Sequence, residues 1–360
     1  LGKFSRETSI EKGMSWMGKQ PWLGHAKMEA FFILLPPLLP LFLLFSFPNY
    51  FAEHNLVTDA WWLILVLGID VSHVYSTTFR FYWEPALIKK YKVHLIVIPL
   101  VSLALGCLLH FISPLLFWRI LAYMAVFHFV RQQYGFMRLY SRKDNSDQLS
   151  RWVDIGSIYA ATIYPLIYWH IHRTQDISWF IQGDFFDLSF IESASSAFQL
   201  IYWLLILTYL IKEIIISVQN RIFNIPKNVV MIGTYVSWYK GIVTAQGDLT
   251  FTLLNVVAHG IPYMALVWLY GHREKKAISI HIPWKEIGIF IGCLLLLAYL
   301  EESLWDIMIW KDHPAIFPFL QNLPRPDAWI ISILVPLLSL PQITHYVIDG
   351  FIWRRPAKAT

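Results

Sequence analysis

Charge is scarce in this sequence: Lys, Arg, Asp and Glu make up 15% of its 360 residues, against 56% hydrophobic. A water-soluble domain of that composition would not stay dispersed, so a bilayer is the expected solvent for most of its surface. Cysteine is nearly missing. Cys107 and Cys293 both fall inside apolar runs, which excludes a disulfide framework and a thiolate zinc site and leaves the redox compartment open. There is no internal repeat, no inverted pair of broken helices and no low-complexity tract, which speaks against a transporter. No cleavable signal peptide is expected. The first 27 residues are polar and basic, and the first apolar run, starting near Met28, is expected to be kept as a span. The formal charge of +5 comes from short basic clusters between apolar runs, not from one patch, so no nucleic-acid partner is expected.

What the sequence does have is apolar stretches long enough to cross the hydrocarbon, about 20 residues each. They lie near 28–47, 60–79, 93–112, 118–138, 152–171, 198–218, 228–246, 250–270, 286–301 and 328–352. The seventh is the weakest, because it holds Tyr235, Ser237, Tyr239 and Lys240. The expected fold is therefore an all-α, polytopic transmembrane bundle of about ten spans. It divides into a cytoplasmic N-terminal segment 1–27, one helical domain 28–353 and a basic tail 354–360. The basic residues test the count, since cytoplasmic loops hold most Lys and Arg. Of the 29, 23 fall in alternate segments (1–27, 80–92, 138–151, 212–227, 273–285 and the tail) and five on the other side; Arg131 sits within a span. Both termini are expected on the cytoplasmic side of a bacterial inner membrane. The outer loops 173–197 and 302–327, rich in Trp, Phe and Ile but broken by Asp, Pro and Gly, are expected along the interface, as caps over the helix ends or as a substrate lid.

Ionisable groups inside a span are costly, so each needs a partner or a task. In the second span Asp70, His73, Thr77 and Arg80 share one helical face by three- and four-residue spacing. The fourth holds His128-Phe129-Val130-Arg131-Gln132-Gln133-Tyr134. The eighth aligns Asn255, His259 and Tyr263, and the tenth sets His345 one turn before Asp349. All four spans run from the outer side inward. Their histidines precede the first basic residue at the inner end by 7, 10, 14 and 9 positions, which is about 10 to 21 Å of helix. Four imidazoles in one depth band, with Asp70 and Asp349 as further ligands or as orienting carboxylates, make a donor set for iron or another N/O-preferring metal. The alternative is that each histidine merely bonds a neighbouring helix and each Arg or Asp is half of a buried pair. His110, His170 and His172 fall at the outer headgroup level, where interfacial solvation or, less favoured, haem ligation accounts for them.

The stretches Asp70 to Arg80, His128 to Gly135, His259 to Tyr263 and His345 to Arg354 resemble a family of multi-span bacterial membrane proteins with scattered intramembrane histidines. More loosely, they are similar to membrane β-carotene-cleaving dioxygenases of the Brp/Blh type, a likeness that implies histidine-ligated non-haem iron. The chain departs from membrane desaturases and hydroxylases in having no His-x-x-x-His and no His-x-x-His-His box. The leading expectation is a metal-dependent oxidoreductase or oxygenase acting on a lipid or isoprenoid from the bilayer. In it Arg131, Gln132, Gln133 and Tyr134 line the cavity and Arg80 holds an anionic headgroup. A second reading is metal-free acyl or group transfer, with Asn255 and His259 as polarising and basic pair. A third is a non-catalytic subunit of a membrane complex, which would show a large flat apolar face and no internal cavity.

Overall fold

The apolar runs fold as helices because a backbone in hydrocarbon must satisfy its N–H and C=O groups within its own segment. The computed structural model describes residues 19–352 apart from 25, 83, 173–178, 246, 274–283 and 320. Most of the expected N-terminal segment, the tail 354–360 and the start of the first outer loop therefore lie outside the described residues. Ten helical segments stand where the ten runs were expected. They are α1 (Ala26–Leu34 with Leu39–Ser46), α2 (Asp59–Phe81), α3 (Pro85–Ile112), α4 (Pro114–Tyr140) and α5 (Gln148–Ile171). After them come α6 (Ser189–Asn220), α7 (Ile225–Trp238 with Tyr239–Thr244), α8 (Asp248–Arg273), α9 (Trp284–Trp310) and α10 (Ala328–Leu338 with Leu340–Ile352). No strand occurs among the described residues.

Seven of these helices are long and apolar enough to cross a membrane; the two arms of α1, bent by 51°, make an eighth if they form one span. Pro36 and Pro37 stand at that bend, where a proline removes a donor and breaks the ladder. The other two, α5 and α7, are helical throughout but more polar: α5 carries Arg151, Asp154 and Ser157, and α7 carries Lys227, Asn228 and Lys240. Large apolar side chains are exposed along α3, α6 and α9, among them Leu100, Leu108, Leu200, Leu204, Ile289 and Leu296. The most enclosed helix is α8. Its apolar window is 72% buried, against 17% for those of α3 and α9.

Two expectations are corrected at the helix ends. The irregular outer loops are shorter than 173–197 and 302–327, because a 3-10 turn at Ser189–Ala194 already leads into α6 and α9 continues as a π-helix through Trp310. Lys212 and Lys227, read from sequence as loop charges, lie inside α6 and α7 and are buried. Each meets carboxylates there. Lys212 pairs with Asp154 and Glu213, and the Lys227 ammonium donates to Asp144 at 2.9 Å and to Glu213 at 2.6 Å. Asn228 donates to the second Glu213 oxygen at 2.6 Å, Tyr209 donates to Asn228 at 2.9 Å, and Asn224 donates to Asp144 at 2.7 Å. This ionic cluster ties α5, α6 and α7 together at one end of the bundle.

Candidate metal centre

The second span does not wind uniformly. After one α-turn it widens into a π-helix over Leu63–Val71 and returns to α at Ser72, whose hydroxyl donates to Leu67 O five residues back at 2.8 Å. Such widened turns recur at functional sites. This one ends one residue before Ser72-His73 and faces Gly260 of α8. A Cβ at Gly260 would stand 2.6 Å from Ile69 Cγ2 and 3.1 Å from Ile69 O, so only glycine allows the two backbones to come this close. The consequence is direct. His73, on α2, and His259, the residue before that glycine, meet Nε2 to Nε2 at 3.0 Å.

His345 of α10 and His128 of α4 meet in the same way, Nε2 to Nε2 at 3.1 Å. The two pairs form one cluster: a ring nitrogen from each of His73, His128, His259 and His345 lies within 4.8 Å of those of the other three. All four are buried, with exposures between 0 and 5%. The histidine-bearing helices expected at a common depth thus converge on one point. Metal–imidazole bonds of about 2.0 to 2.1 Å separate neighbouring donors by about 3 Å or slightly more, the scale of these contacts.

Around the ring nitrogens stands a layer that fixes their orientation. The ring of His259 stacks on Phe129 with centroids 3.7 Å apart and planes 9° apart. Tyr346 lies against His128 at 4.8 Å, its hydroxyl held by Gln342 at 2.7 Å. His345 Nδ1 meets Thr77 Oγ1 at 2.6 Å; Thr77 contacts the Tyr263 hydroxyl at 2.9 Å, and Tyr263 donates to Asp349 Oδ1 at 2.6 Å. Asp349 itself is 3.9 Å from His345 Nδ1, and Asp70 is 3.6 Å from His73 Nδ1. Neither carboxylate belongs to the four-residue donor group. Both stand behind it: Asp349 is linked to the His345 ring through Tyr263 and Thr77, and Asp70 lies at ion-pair distance from His73 Nδ1 without a hydrogen bond to it. His73 Nδ1 and His259 Nδ1 have no hydrogen-bond partner.

Of the remaining expected residues only some reach this centre. Gln132 donates to His259 O at 2.8 Å, which holds α4 against α8. Gln133 instead accepts from Thr234 of α7 at 3.0 Å. Arg131 is exposed, donates to Tyr159 of α5 at 2.6 Å and lies 4.7 Å over Tyr134. The expectation that residues 131–134 line one cavity is thus corrected: at 100° per residue, four consecutive side chains spread around the helix and cannot share a face. Arg80 lies over Tyr270, 5.8 Å from the ring centroid, beyond the Thr77 turn, and its Nε has no partner. Asn255 donates to Phe251 O at 3.0 Å, and His259 Nε2 faces His73, so the two do not form the hydrogen-bonded pair that group transfer requires. The outer histidines have protein partners: His110 Nδ1 meets Ser332 at 3.0 Å, and His170 engages Tyr123 at 2.8 Å and Leu166 O at 2.7 Å.

Sequence reasoning missed the space beside the histidines. A cavity of about 380 Å³ lies between the start of α2, the start of α8 and the end of α9. Asp70, Phe129, Asn255 and Tyr346 form its inner wall, each next to one of the histidines by contact or by sequence. Both outer loops contribute to it. Asp184 accepts from the backbone N–H groups of Trp179 and Phe180 at 2.9 and 2.8 Å, and that turn delivers both aromatics to the wall. Burial raises the Asp184 carboxyl above the ordinary range, against the opposing pull of these N–H groups. The one available signal was the density of Trp and acidic residues in 301–312. Comparisons with protein families, with curated proteins and with solved structures find no match for the chain.

Proposed function

We propose that the chain is a membrane metalloprotein in which His73, His128, His259 and His345 hold one transition metal, iron, and that this centre oxidises a lipid or isoprenoid. In this reading all ten helices cross a bacterial inner membrane and both termini are cytoplasmic. The observation that carries it is the buried four-imidazole cluster. Four neutral nitrogen donors suit iron, copper, nickel or zinc, and with no thiolate nearby the set has no bias toward the softest metals. The four imidazoles turn their Nε2 atoms toward one another in two pairs, and His73 Nδ1 and His259 Nδ1 make no hydrogen bond among the described residues. Buried polar groups in that state are costly. A cation bound at the Nε2 atoms would replace these two contacts with four metal–nitrogen bonds.

Iron in such a site supplies redox chemistry and dioxygen activation. The chain's residues supply the setting. Phe129 and Tyr346 hold two imidazole planes and exclude water from them. Thr77, Tyr263 and Asp349 form a relay in which the Tyr263 hydroxyl donates to Asp349 Oδ1 and the Thr77 hydroxyl is left to orient His345. A lipid or isoprenoid reaches the centre sideways from the bilayer, because the cavity on the loop side carries six carboxylates. The presence of an internal cavity favours this reading over a non-catalytic subunit.

Elemental analysis of protein purified from membranes is the test. About one iron per chain is expected, falling below a tenth in the His128→Ala/His345→Ala variant. A folded, metal-free wild type that takes up no added metal would overturn the metal centre; stoichiometric zinc would overturn the redox assignment alone.

A further inference from the structure

The cavity beside the histidines has an unbalanced charge. Asp70, Asp248, Glu301, Glu302, Asp306 and Asp312 contribute to its wall, and no Lys or Arg does. Some of these carboxylates are used by the fold: Asp306 accepts from the N–H groups of Asp312 and His313 and from Gln321, and Glu301 accepts from Tyr75 at 2.6 Å and from Trp305 at 3.3 Å. Glu302 is different. It makes no hydrogen bond or ion pair among the described residues and faces the like charges of Glu301, Asp70 and Asp306. A second polar group awaits a ligand at the inner end. Asn255 is 3% exposed, lines the cavity, and its Oδ1 has no partner. The walls between carry Trp62, Trp118, Trp305 and Trp310, whose ring faces are electronegative.

A cleft lined by one sign of charge with low-dielectric walls focuses the field and concentrates the opposite ion. This cleft has direction. Exposed Asp312 stands at its loop end, and Asp70, 3.6 Å from His73 Nδ1, at the other. Between them π-helical backbone flanks the space on two sides, Leu63–Val71 carrying Asp70 and Asp306–Trp310 carrying Asp306 and Trp310. We propose that the cavity is a cation vestibule through which a divalent transition metal reaches the four imidazoles, with Glu302 as its receiving carboxylate and Asp70 as the link to His73. The inference rests on the metal-centre reading above and adds the route by which that centre is filled. Oxygen donors hold a hard or borderline divalent ion loosely and nitrogen donors hold a transition metal more tightly; the cavity wall carries the carboxylates, and the four imidazoles stand behind its inner wall.

The test uses the full chain in detergent, stripped of metal, mixed rapidly with Co(II), whose absorption changes as imidazole replaces water. Wild type is expected to load in an early phase that slows as ionic strength rises. Glu302→Gln and Asp312→Asn are each expected to slow that phase about tenfold and to leave the final cobalt content unchanged. Glu302→Gln is isosteric and Asp312 is exposed, so one of the two is available if the other does not fold. Unchanged loading rates in both, with normal final cobalt, overturn the vestibule while the metal centre stands. If wild type never acquires the imidazole–cobalt absorption, it is the metal centre that fails. Protection of the cavity by tetramethylammonium without any delay in cobalt loading also overturns the route, and assigns the space to an organic cation.

Discussion

Two polar clusters are buried in this bundle, and they are finished to different degrees. In the cluster of α5, α6 and α7, two lysines meet three carboxylates, and Asn224, Asn228 and Tyr209 take up the spare valences. In the cluster of α2, α4, α8 and α10, four imidazoles face one another, in two pairs at 3.0 and 3.1 Å, and two Nδ1 atoms make no hydrogen bond among the described residues. Both would be expensive if left open in a low-dielectric interior. The first closes itself with protein charge and acts as a fastener. The second has no protein charge at its centre, and in the function proposed here a bound metal would close it.

The comparison breaks most readily at its closed half. Lys227→Met leaves Asp144, Asp154 and Glu213 with Lys212 as the one lysine among them and is expected to cost about 3 kcal/mol, read as a large fall in thermal stability in detergent; a variant as stable as wild type would show that the cluster is not a fastener. At the open half, metal at a hundred times its dissociation constant is expected to stabilise wild type by about 2.7 kcal/mol, and chelation to remove that gain. His345→Gln should show no such difference between loaded and chelated samples. Gly260→Ala places a methyl group against Ile69, and α2 and α8 must separate: a loss of about 1 to 3 kcal/mol is expected, with weaker metal retention in dialysis. Tyr263→Phe cuts the relay to Asp349 and should lower stability by only about 1 kcal/mol, while metal affinity falls about 10- to 100-fold. The smallest effect belongs to Arg131→Leu. Its guanidinium points to Tyr159, and full metal content is expected; loss of metal there would return Arg131 to the site.

How far these clusters can be read from sequence depends on what each is made of. The histidine site is legible because helix rise and alternating topology fix the depth of every residue, so His73, His128, His259 and His345 fall in one band before any contact is known. Depth is not direction. Which face of α4 looks inward is decided by its neighbours, and a reading by proximity to His128 put Arg131 and Tyr134 in a cavity that they turn away from. The ionic cluster is misread for the opposite reason: Lys212 and Lys227 stand near helix ends and look like headgroup charges until Asp144, Asp154 and Glu213 are seen around them. The π-helices and the acidic cavity leave no periodic trace. Glu301, Glu302 and Asp306 look like the end of a span, whereas the helix runs on through Trp310 and turns them toward the histidines' side of the bundle.

The four donors also lie far apart along the chain, with 217 residues between His128 and His345 and 186 between His73 and His259. During synthesis His345, carried by α10, is the last of the four to be made. Until α10 is inserted beside α2 and α4, His73 and His259 make at most half a site and His128 has no counterpart. If the four imidazoles hold a metal as proposed, tight capture reports that α2, α4, α8 and α10 have all been inserted and brought together, and a chain cut before residue 345 lacks one of the four donors.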